Sequence, residues 1–340
     1  MDTQPDRPDN GRLDRRLSVA PMMDRTDRHC RSFLRAISAR VLLYTEMITT
    51  GAVLHGEHER LLAYDAGEHP LALQLAGSDP DALAACASIA AGYGYDEINL
   101  NVGCPSERVR AARWGACLMA EPATVAACVA AMIGASGLPV TVKSRIGIDQ
   151  QDGYQDLRAF VEIIAEAGCR TFIVHARKAW LTGLDPEQNR NVPPLRHDFV
   201  HRLKRDRPDL EIIINGGIVS LDETREHLAR VDGVMIGRAA YADPYMLAEA
   251  DRRVFGSDDP APSRPEILAR FIPYIAGRLE EGVYLPHITR HMLGLYSGIP
   301  GARTWRRHIS ENAHRPGSGL AVVEDAAGLA EAAARQRQAA

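Results

Sequence analysis

Short runs of apolar and β-branched residues recur along about the first 250 residues, at intervals of roughly 20 to 40 residues. Ala-rich stretches of helical character separate them. Strands that alternate with helices form a parallel sheet, because each strand needs a crossover before its parallel neighbour begins. We predict eight strands, at residues 17–20, 41–46, 71–75, 97–101, 140–144, 171–175, 211–215 and 233–237.

Helices are predicted between these strands, for example at residues 81–91, 121–133 and 155–167. Ser78-Asp79-Pro80 precedes the first helix and supplies a capping residue followed by a first-turn proline. Eight strand–helix units close most economically as a (β/α)8 barrel, the TIM barrel of the α/β class. A doubly wound open sheet would place GxGxxG after the first strand. The nearest match, which starts at Gly92, lacks the third glycine and precedes a strand, so we reject the open sheet.

The pattern changes after Pro244, where strands give way to helices alone. Residues 257–262 have the Pro- and Asp-rich composition of a linker or long loop. We therefore divide the chain into a polar N-terminal extension at 1–16, which we expect to be disordered, a catalytic barrel at 17–250 and a helical domain at 251–340. Helices of the last part are predicted at residues 264–278, 285–296, 302–313 and 323–335.

Composition narrows the functional classes. The chain has 340 residues, 46% hydrophobic and 25% charged, and no apolar stretch approaches the roughly 18 residues of a membrane span. Its net charge of −4 argues against indiscriminate nucleic-acid binding, so an RNA partner needs a local basic patch. The six cysteines show no metal or disulfide spacing and are most simply reduced thiols, as expected in the cytoplasm. His287 and His291 offer two ligands at helical spacing without a third, so we expect no metal.

In a barrel of this kind, polar residues at the carboxyl ends of the strands line the active site. The predicted strand ends carry many hydrogen-bond donors and almost no carboxylates. Such a ring suits a planar, acceptor-rich, anionic ligand better than a metal or a glycoside, which would need paired carboxylates. The residues at the strand ends are Gln74, Asn99, Asn101, Lys143, Arg145, His175, Asn215, Gly216, Gly217, Gly237 and Arg238.

Two features of this ring point to a flavin. Glycines follow the seventh and eighth strands, where this fold usually grips phosphate, and Arg238 can neutralise the phosphate charge. Lys143, one of only three lysines in the chain, can stabilise the negative charge that develops near N1 and O2 of a reduced flavin. Gln74 can pair with the donor and acceptor edge of the same ring. His175 could bind phosphate or be a satisfied barrel histidine, and the residues alone leave both readings open.

Cys104 is the candidate for acid catalysis. It follows the fourth strand, between Gly103 and Pro105, in a loop with a restricted backbone. A thiol with a pKa near the reference value of about 8.5 stays mostly protonated at neutral pH and can serve as an acid.

With these residues in place, the sequence closely resembles the tRNA-dihydrouridine synthases, and among them the A subfamily. The resemblance extends from residue 17 to about residue 315. The subfamily follows from the loop between Lys178 and Pro194 and from residues 287–295 with 300–303. The family runs are Ser18-Val-Ala-Pro-Met-Met-Asp24, Leu43-Tyr-Thr-Glu-Met47, Asn99-Leu-Asn-Val-Gly-Cys-Pro-Ser106, Val142-Lys-Ser-Arg-Ile-Gly147, His175-Ala-Arg-Lys-Ala-Trp-Leu181 and Ile214-Asn-Gly-Gly217.

The resemblance implies an FMN-dependent oxidoreductase that reduces uridine to 5,6-dihydrouridine, with uridines 20 and 20a of the tRNA D-loop as the preferred targets. In such enzymes NADPH reduces the flavin and leaves, the flavin passes hydride to C6 of uracil, and the cysteine, here Cys104, protonates C5. The residues implied to bind FMN are Pro21, Met22, Met23, Gln74, Lys143, His175, Asn215, Gly216, Gly217, Gly237 and Arg238.

By position, the family's tRNA contacts fall on residues of the barrel loops and the helical domain. Residues 287–315 carry five arginines against a single glutamate, which supplies the basic patch. A base within folded tRNA must be extruded to reach a barrel mouth, at a cost of a few kcal/mol. The implied contact residues are Asn101, Glu187, Arg190, Arg303 and Arg306.

Two positions depart from the family pattern: Arg25 stands in place of an aromatic residue, and Ala111 with Ala112 replace a more polar, glycine-containing stretch. We expect tRNA as the partner, with no DNA, no membrane and no obligate protein partner. Two rival functions are an FMN barrel that acts on a free pyrimidine and a tRNA-binding module without redox activity.

Overall fold

Eight parallel strands form one sheet in the computed structural model, which describes residues 13–338. The sheet order is β1-β8-β7-β6-β5-β4-β3-β2, and a parallel bridge between Ser18 and Leu42 joins its two ends. This closure confirms the predicted (β/α)8 barrel. The strands are β1 Leu17–Val19, β2 Leu43–Thr49, β3 Leu71–Ala76, β4 Glu97–Val102, β5 Val140–Arg145, β6 Thr171–His175, β7 Glu211–Asn215 and β8 Gly233–Ile236.

Helices follow the strands and then continue alone after β8. The α-helices are α1 Arg28–Ile37, α2 Thr50–His55, α3 His58–Leu62, α4 Pro80–Tyr93, α5 Glu107–Ala111, α6 Pro122–Ser136, α7 Tyr154–Glu166, α8 Gln188–Asn191, α9 His197–Asp206, α10 Leu221–Leu228, α11 Arg238–Ala242, α12 Ala250–Arg253, α13 Arg264–Glu280, α14 Leu285–Thr289, α15 Ala302–Asn312 and α16 Leu320–Gln338. Short 3-10 helices lie at Ala66–Glu68, Gly115–Ala120 and Pro244–Glu249. The predicted cap of α4 is confirmed, because the Asp79 side chain accepts from the first-turn N–H groups and Pro80 follows it.

The amino-terminal end of the barrel is closed by a buried ion pair. Arg15 is 5% exposed, and its Nε lies 2.6 Å from the carboxylate of Glu97. Tyr44 and Thr141 donate hydroxyl hydrogen bonds to the same carboxylate, at 2.7 and 2.6 Å. Residues 13–16 therefore differ from the predicted disordered extension, because Arg15 supplies the cation that Glu97 needs inside the barrel. The rest of that extension, residues 1–12, lies outside the described residues.

The C-terminal helices form a layer on the barrel. Phe271 of α13 packs against Phe33 of α1 with ring centroids 5.2 Å apart, and one hydrophobic cluster continues from the barrel into this layer. The predicted helix at 285–296 is too long, since α14 ends at Thr289. The turns that follow bring Gly294 so close to Ala242 that a Cβ would lie 2.4 Å from the Ala242 carbonyl oxygen. Among residues 13–338, no helix has the length and apolarity to cross a membrane.

Candidate active site

A cleft of about 940 Å³ opens at the carboxyl ends of the strands. All of the residues predicted to bind FMN line it, together with Cys104, Asn101 and Arg190. The cleft is therefore where the barrel fold places its chemistry. Within residues 13–338, no group of three or more His, Cys, Asp or Glu side chains is arranged to hold a metal ion.

A chain of buried side-chain amides crosses the barrel beneath the cleft. Asn101 donates to Gln74 at 2.9 Å, Gln74 donates to Asn99 at 2.7 Å, and Asn99 donates to Thr141 at 2.8 Å. Thr141 in turn donates to Glu97, so the chain reaches the ion pair at the far end of the barrel. These bonds fix each amide in one orientation, and Gln74 therefore presents a rigid edge to the cleft.

The loop that carries Cys104 is held from two sides. The side-chain oxygen of Asn101 accepts from the backbone N–H groups of Gly103 and Cys104, at 3.1 and 3.0 Å. The carbonyl oxygen of Cys104 accepts from the N–H of Ala116 at 2.9 Å. Arg145 donates to the carbonyl oxygen of Gly103 at 3.1 Å and also to the carbonyl of Asn189, which joins this loop to the one after β6. Cys104 is partly exposed and thus accessible from the cleft.

Lys143 and His175 are basic side chains that have no carboxylate partner among residues 13–338. Burial and the charge of Arg145 lower the pKa of Lys143 to about 7, and its ammonium has Asn215 Oδ1 as an acceptor at 3.2 Å. Burial, with Arg145 and Lys143 nearby, lowers the pKa of His175 well below its ordinary value. The Nδ1 atom of His175 is buried and has no hydrogen-bond partner among the described residues. An unpaired buried nitrogen beside an unneutralised lysine is a site that fits a bound acceptor-rich anion.

The glycine corner after β7 has a backbone that only glycine adopts readily. Gly216 and Gly217 have φ values of 111° and 77°. A Cβ on Gly217 would lie 2.4 Å from the Leu195 side chain, and a Cβ on Gly216 would lie 3.0 Å from His175 Nε2. Both glycines line the cleft, so the backbone at this corner can approach a phosphate closely. Arg238 stands on the other side and donates to the Asn191 side chain at 2.9 Å.

The loop after β1 and strand β2 form another wall of the cleft, where Asp27 and Glu46 are groups that sequence reasoning missed. Arg25, the departure from the family pattern, places its guanidinium 4.9 Å from the centroid of the Tyr241 ring. Glu46 lies within a bulge of β2, and burial together with Asp27 raises its pKa. Asp27 lines the cleft and is paired with residues of the C-terminal layer. Because these contacts join positions far apart in the chain, no local sequence pattern indicates them.

The predicted tRNA contacts are dispersed. Asn101 is 9% exposed and uses its amide within the protein, whereas Arg190 lines the cleft with a buried Nε that has no partner among residues 13–338. Glu187 is exposed just before α8. Arg303 and Arg306 are exposed on α15, outside the cleft.

A closed parallel barrel with a fixed amide edge, a glycine corner and a cysteine at its mouth defines a flavin-dependent oxidoreductase of the (β/α)8 class. The family model described as dihydrouridine synthase matches residues 18–332. The chain belongs to the dihydrouridine synthase family.

Individual relatives agree with this assignment. A tRNA-dihydrouridine(20/20a) synthase of Vibrio parahaemolyticus is 60% identical over 312 residues, which are 92% of this chain and 95% of the relative. The protein of the same name from Escherichia coli K12 is 57% identical over 92% of this chain and 90% of its own length. Among solved structures, morphinone reductase matches with a TM-score of 0.49 at 13% identity over 74% of this chain and 88% of that chain, a likeness too weak to support a functional statement.

Proposed function

We propose that this chain reduces uridines 20 and 20a of the tRNA D-loop to 5,6-dihydrouridine, with FMN as the bound flavin and NADPH as the reductant. The observation that carries the proposal is Cys104, which is held at the mouth of a cleft that fits a flavin. The relatives named above bear this activity in their names, and the chain matches them over nearly their whole length.

Different residues of the cleft bind different parts of FMN. The fixed edge of Gln74 would pair with the polar edge of the flavin ring, and Lys143 would supply a cation that stabilises the charge near N1 and O2. Asn215 orients the Lys143 ammonium at 3.2 Å. The backbone around Gly216 and Gly217 receives the phosphate, and His175 offers its unpaired Nδ1 to the same ligand.

The remaining cofactor residues complete the enclosure. Met22 and Met23 line the wall formed by the loop after β1, next to Pro21. Gly237 faces Met22, whose sulfur lies 3.9 Å from the position of a Cβ on that glycine, and Arg238 adds a positive charge. Bound here, the reduced flavin supplies hydride for C6 of the uracil ring.

Cys104 supplies the proton. Its loop is fixed by Asn101 and Arg145, so the thiol is held in one region of the cleft mouth. A positioned acid lowers the barrier to protonating C5 of the base, since no proton has to be recruited from bulk water.

The tRNA is held outside the cleft by positive charge. Arg303 and Arg306 are exposed on α15 and would contact the phosphate backbone, while Arg190 of α8 and Glu187 just before that helix would contact the extruded base. Asn101 contributes to base binding by holding the loop of Cys104. All six cysteines are unpaired thiols, which suits the reducing cytoplasm where we place the reaction.

The test is reconstitution followed by mapping. Purified protein, FMN and NADPH are incubated with unmodified tRNA, and dihydrouridine is located position by position. Dihydrouridine at 20 and 20a, and its absence from the tRNA of cells that lack this protein, is the expected result. Dihydrouridine at other positions only would contradict the assignment of the target.

Two rival functions give different outcomes in the same preparation. Turnover of free uracil or orotate without tRNA would identify a free-pyrimidine reductase or dehydrogenase. A colourless protein without absorbance near about 450 nm that still binds tRNA would identify a non-catalytic module, because flavin binding gives that band.

A further inference from the structure

His291 joins three parts of the molecule that meet beside the cleft. It lies in the turn after α14, and it is only 2% exposed. Its Nε2 lies 3.0 Å from the carboxylate of Asp27, and its Nδ1 lies 3.1 Å from the hydroxyl of Tyr241. Asp27 ends the loop after β1, and Tyr241 is on α11. One imidazole therefore fastens the C-terminal layer to both elements.

Neighbouring contacts make this junction tight. Arg290 pairs with the same Asp27 carboxylate at 2.5 Å. Burial alone would raise the pKa of Asp27, but the hydrogen bonds and charges of His291 and Arg290 hold it well below its ordinary value. Gly294 packs against the Ala242 carbonyl at the end of α11, where no side chain would fit. The Asp27 carboxylate therefore stays ionised at neutral pH.

The junction is directly linked to residues assigned to FMN. Thr26, next to Asp27, donates its N–H to the carbonyl of Met22 at 3.0 Å, and its hydroxyl accepts from the N–H of Met22 at 3.0 Å. Tyr241 lies one helical turn after Arg238 in α11. The two elements that His291 contacts therefore carry Met22 and Arg238, two of the residues assigned to FMN.

We propose that His291 is a positioning residue for the cofactor cleft, through which the C-terminal layer sets the affinity for FMN. Neither His291 nor Tyr241 lines the cleft, so the effect passes through the loop after β1 and through α11. The inference rests on the proposed function, because that proposal assigns Met22 and Arg238 to FMN. It gives the C-terminal layer a role in flavin binding in addition to its role toward tRNA.

The experiment titrates flavin-free full-length protein with FMN and follows the quenching of flavin fluorescence. His291→Gln keeps an amide within reach of Asp27 but loses the bond to Tyr241, and Tyr241→Phe removes the same bond from the other side. We expect each to weaken FMN binding by about 3- to 30-fold, and the double variant to be no weaker than His291→Gln. Tyr284→Phe is the matched control: it removes a hydroxyl bond to His314 in the same layer, away from the cleft, and should stay within about twofold.

A second readout separates positioning from general stability. Bound FMN raises the melting temperature, and the increase is larger when the affinity is higher. A variant that binds FMN more weakly should therefore show a smaller increase. If a variant lowers the melting temperature equally with and without FMN and binds FMN with unchanged affinity, His291 is not a positioning residue. That outcome would leave the proposed function intact. A wild-type protein that fails to bind FMN would overturn the proposed function, and this inference with it.

Discussion

The side-chain oxygen of Asn101 accepts a hydrogen bond from the backbone N–H of Cys104 at 3.0 Å. Since the Asn101 amide also donates to Gln74, the loop of the proposed acid is fastened to the edge that receives the flavin ring. The proposed proton donor and the proposed flavin site are therefore parts of one hydrogen-bonded network. This arrangement favours delivery of both to adjacent carbons of one base.

Cys104→Ala should slow uridine reduction by about 10²- to 10⁴-fold, the usual contribution of a positioned acid. Flavin reduction by NADPH should be unchanged, because the thiol takes no part in it. Stopped-flow absorbance measures the two half-reactions separately. Cys117→Ala is the control, since that thiol does not line the cleft and donates to the Trp114 carbonyl. An equal loss in both half-reactions would mean that Cys104 has a structural role.

The lowered pKa of Lys143 predicts a pH dependence of FMN binding. Its pKa of about 7 in the ligand-free protein means that it is largely neutral above that pH, whereas a bound anion favours the charged form. Binding then takes up a proton, so the affinity should fall by up to about tenfold per pH unit above 7. Lys143→Met should bind FMN weakly with no such slope. Lys178→Met, whose lysine pairs with Asp152 outside the cleft, should retain it.

The same shift affects stability with a definite sign. The Lys143 pKa is lowered on folding, so the unfolded chain binds more protons between pH 7 and the ordinary value of 10.5. The free-energy cost of burying this lysine in the ligand-free protein is therefore greatest below pH 7. It disappears as the pH rises from 7 to about 10.5. Lys143→Met should raise the free energy of unfolding more at pH 6 than at pH 10. An equal gain at both values would contradict the lowered pKa.

Gly217→Ala should abolish FMN binding and destabilise the protein by about 1 kcal/mol or more, since φ is 77° and the new Cβ would strike Leu195 at 2.4 Å. Leu195→Ala in the same chain removes the clash but leaves the strained φ. Partial recovery of stability in the double variant is the expected result, measured by thermal unfolding. Wild-type FMN affinity in Gly217→Ala would show that the corner does not hold phosphate.

Arg303→Ala and Arg306→Ala should weaken tRNA binding and each lower the slope of log affinity against log salt by about one. NADPH oxidation without tRNA should be unchanged, because α15 lies outside the cleft. Filter binding at several salt concentrations measures the slope. Arg252→Ala is the control, because Arg252 is an exposed arginine of α12 that pairs with Glu249. An unchanged slope would remove these two arginines from the RNA surface.

Glu97→Gln should destabilise the protein by about 3 kcal/mol, because it leaves the buried Arg15 with a weakened partner. Urea unfolding followed by circular dichroism measures the loss. Glu121→Gln is the contrast: it breaks an exposed pair with Arg113 and should cost less than about 1 kcal/mol. Similar losses in both variants would mean that Glu211, at 3.1 Å from Arg15, fully replaces Glu97.

The barrel could be predicted because its signal is local. Each strand is a short apolar run, and the polar residue near its carboxyl end, such as Gln74 or Lys143, lies at the same end of the barrel in every unit. The length of α14 could not be predicted, since no helix breaker stands at its end and the turns that follow pack Gly294 against Ala242, which is distant in the sequence.

The sequence by itself determined the order of strands and helices, the ring of donors at the barrel mouth and the position of Cys104, because all of these follow from periodicity and from neighbours in the chain. Only the tertiary structure decided how they are held. The pairs Arg15 with Glu97 and Asp27 with His291 join residues 82 and 264 positions apart. Such pairs form only after the barrel closes and the C-terminal layer docks, since burial first makes an unpaired charge costly and so selects its partner.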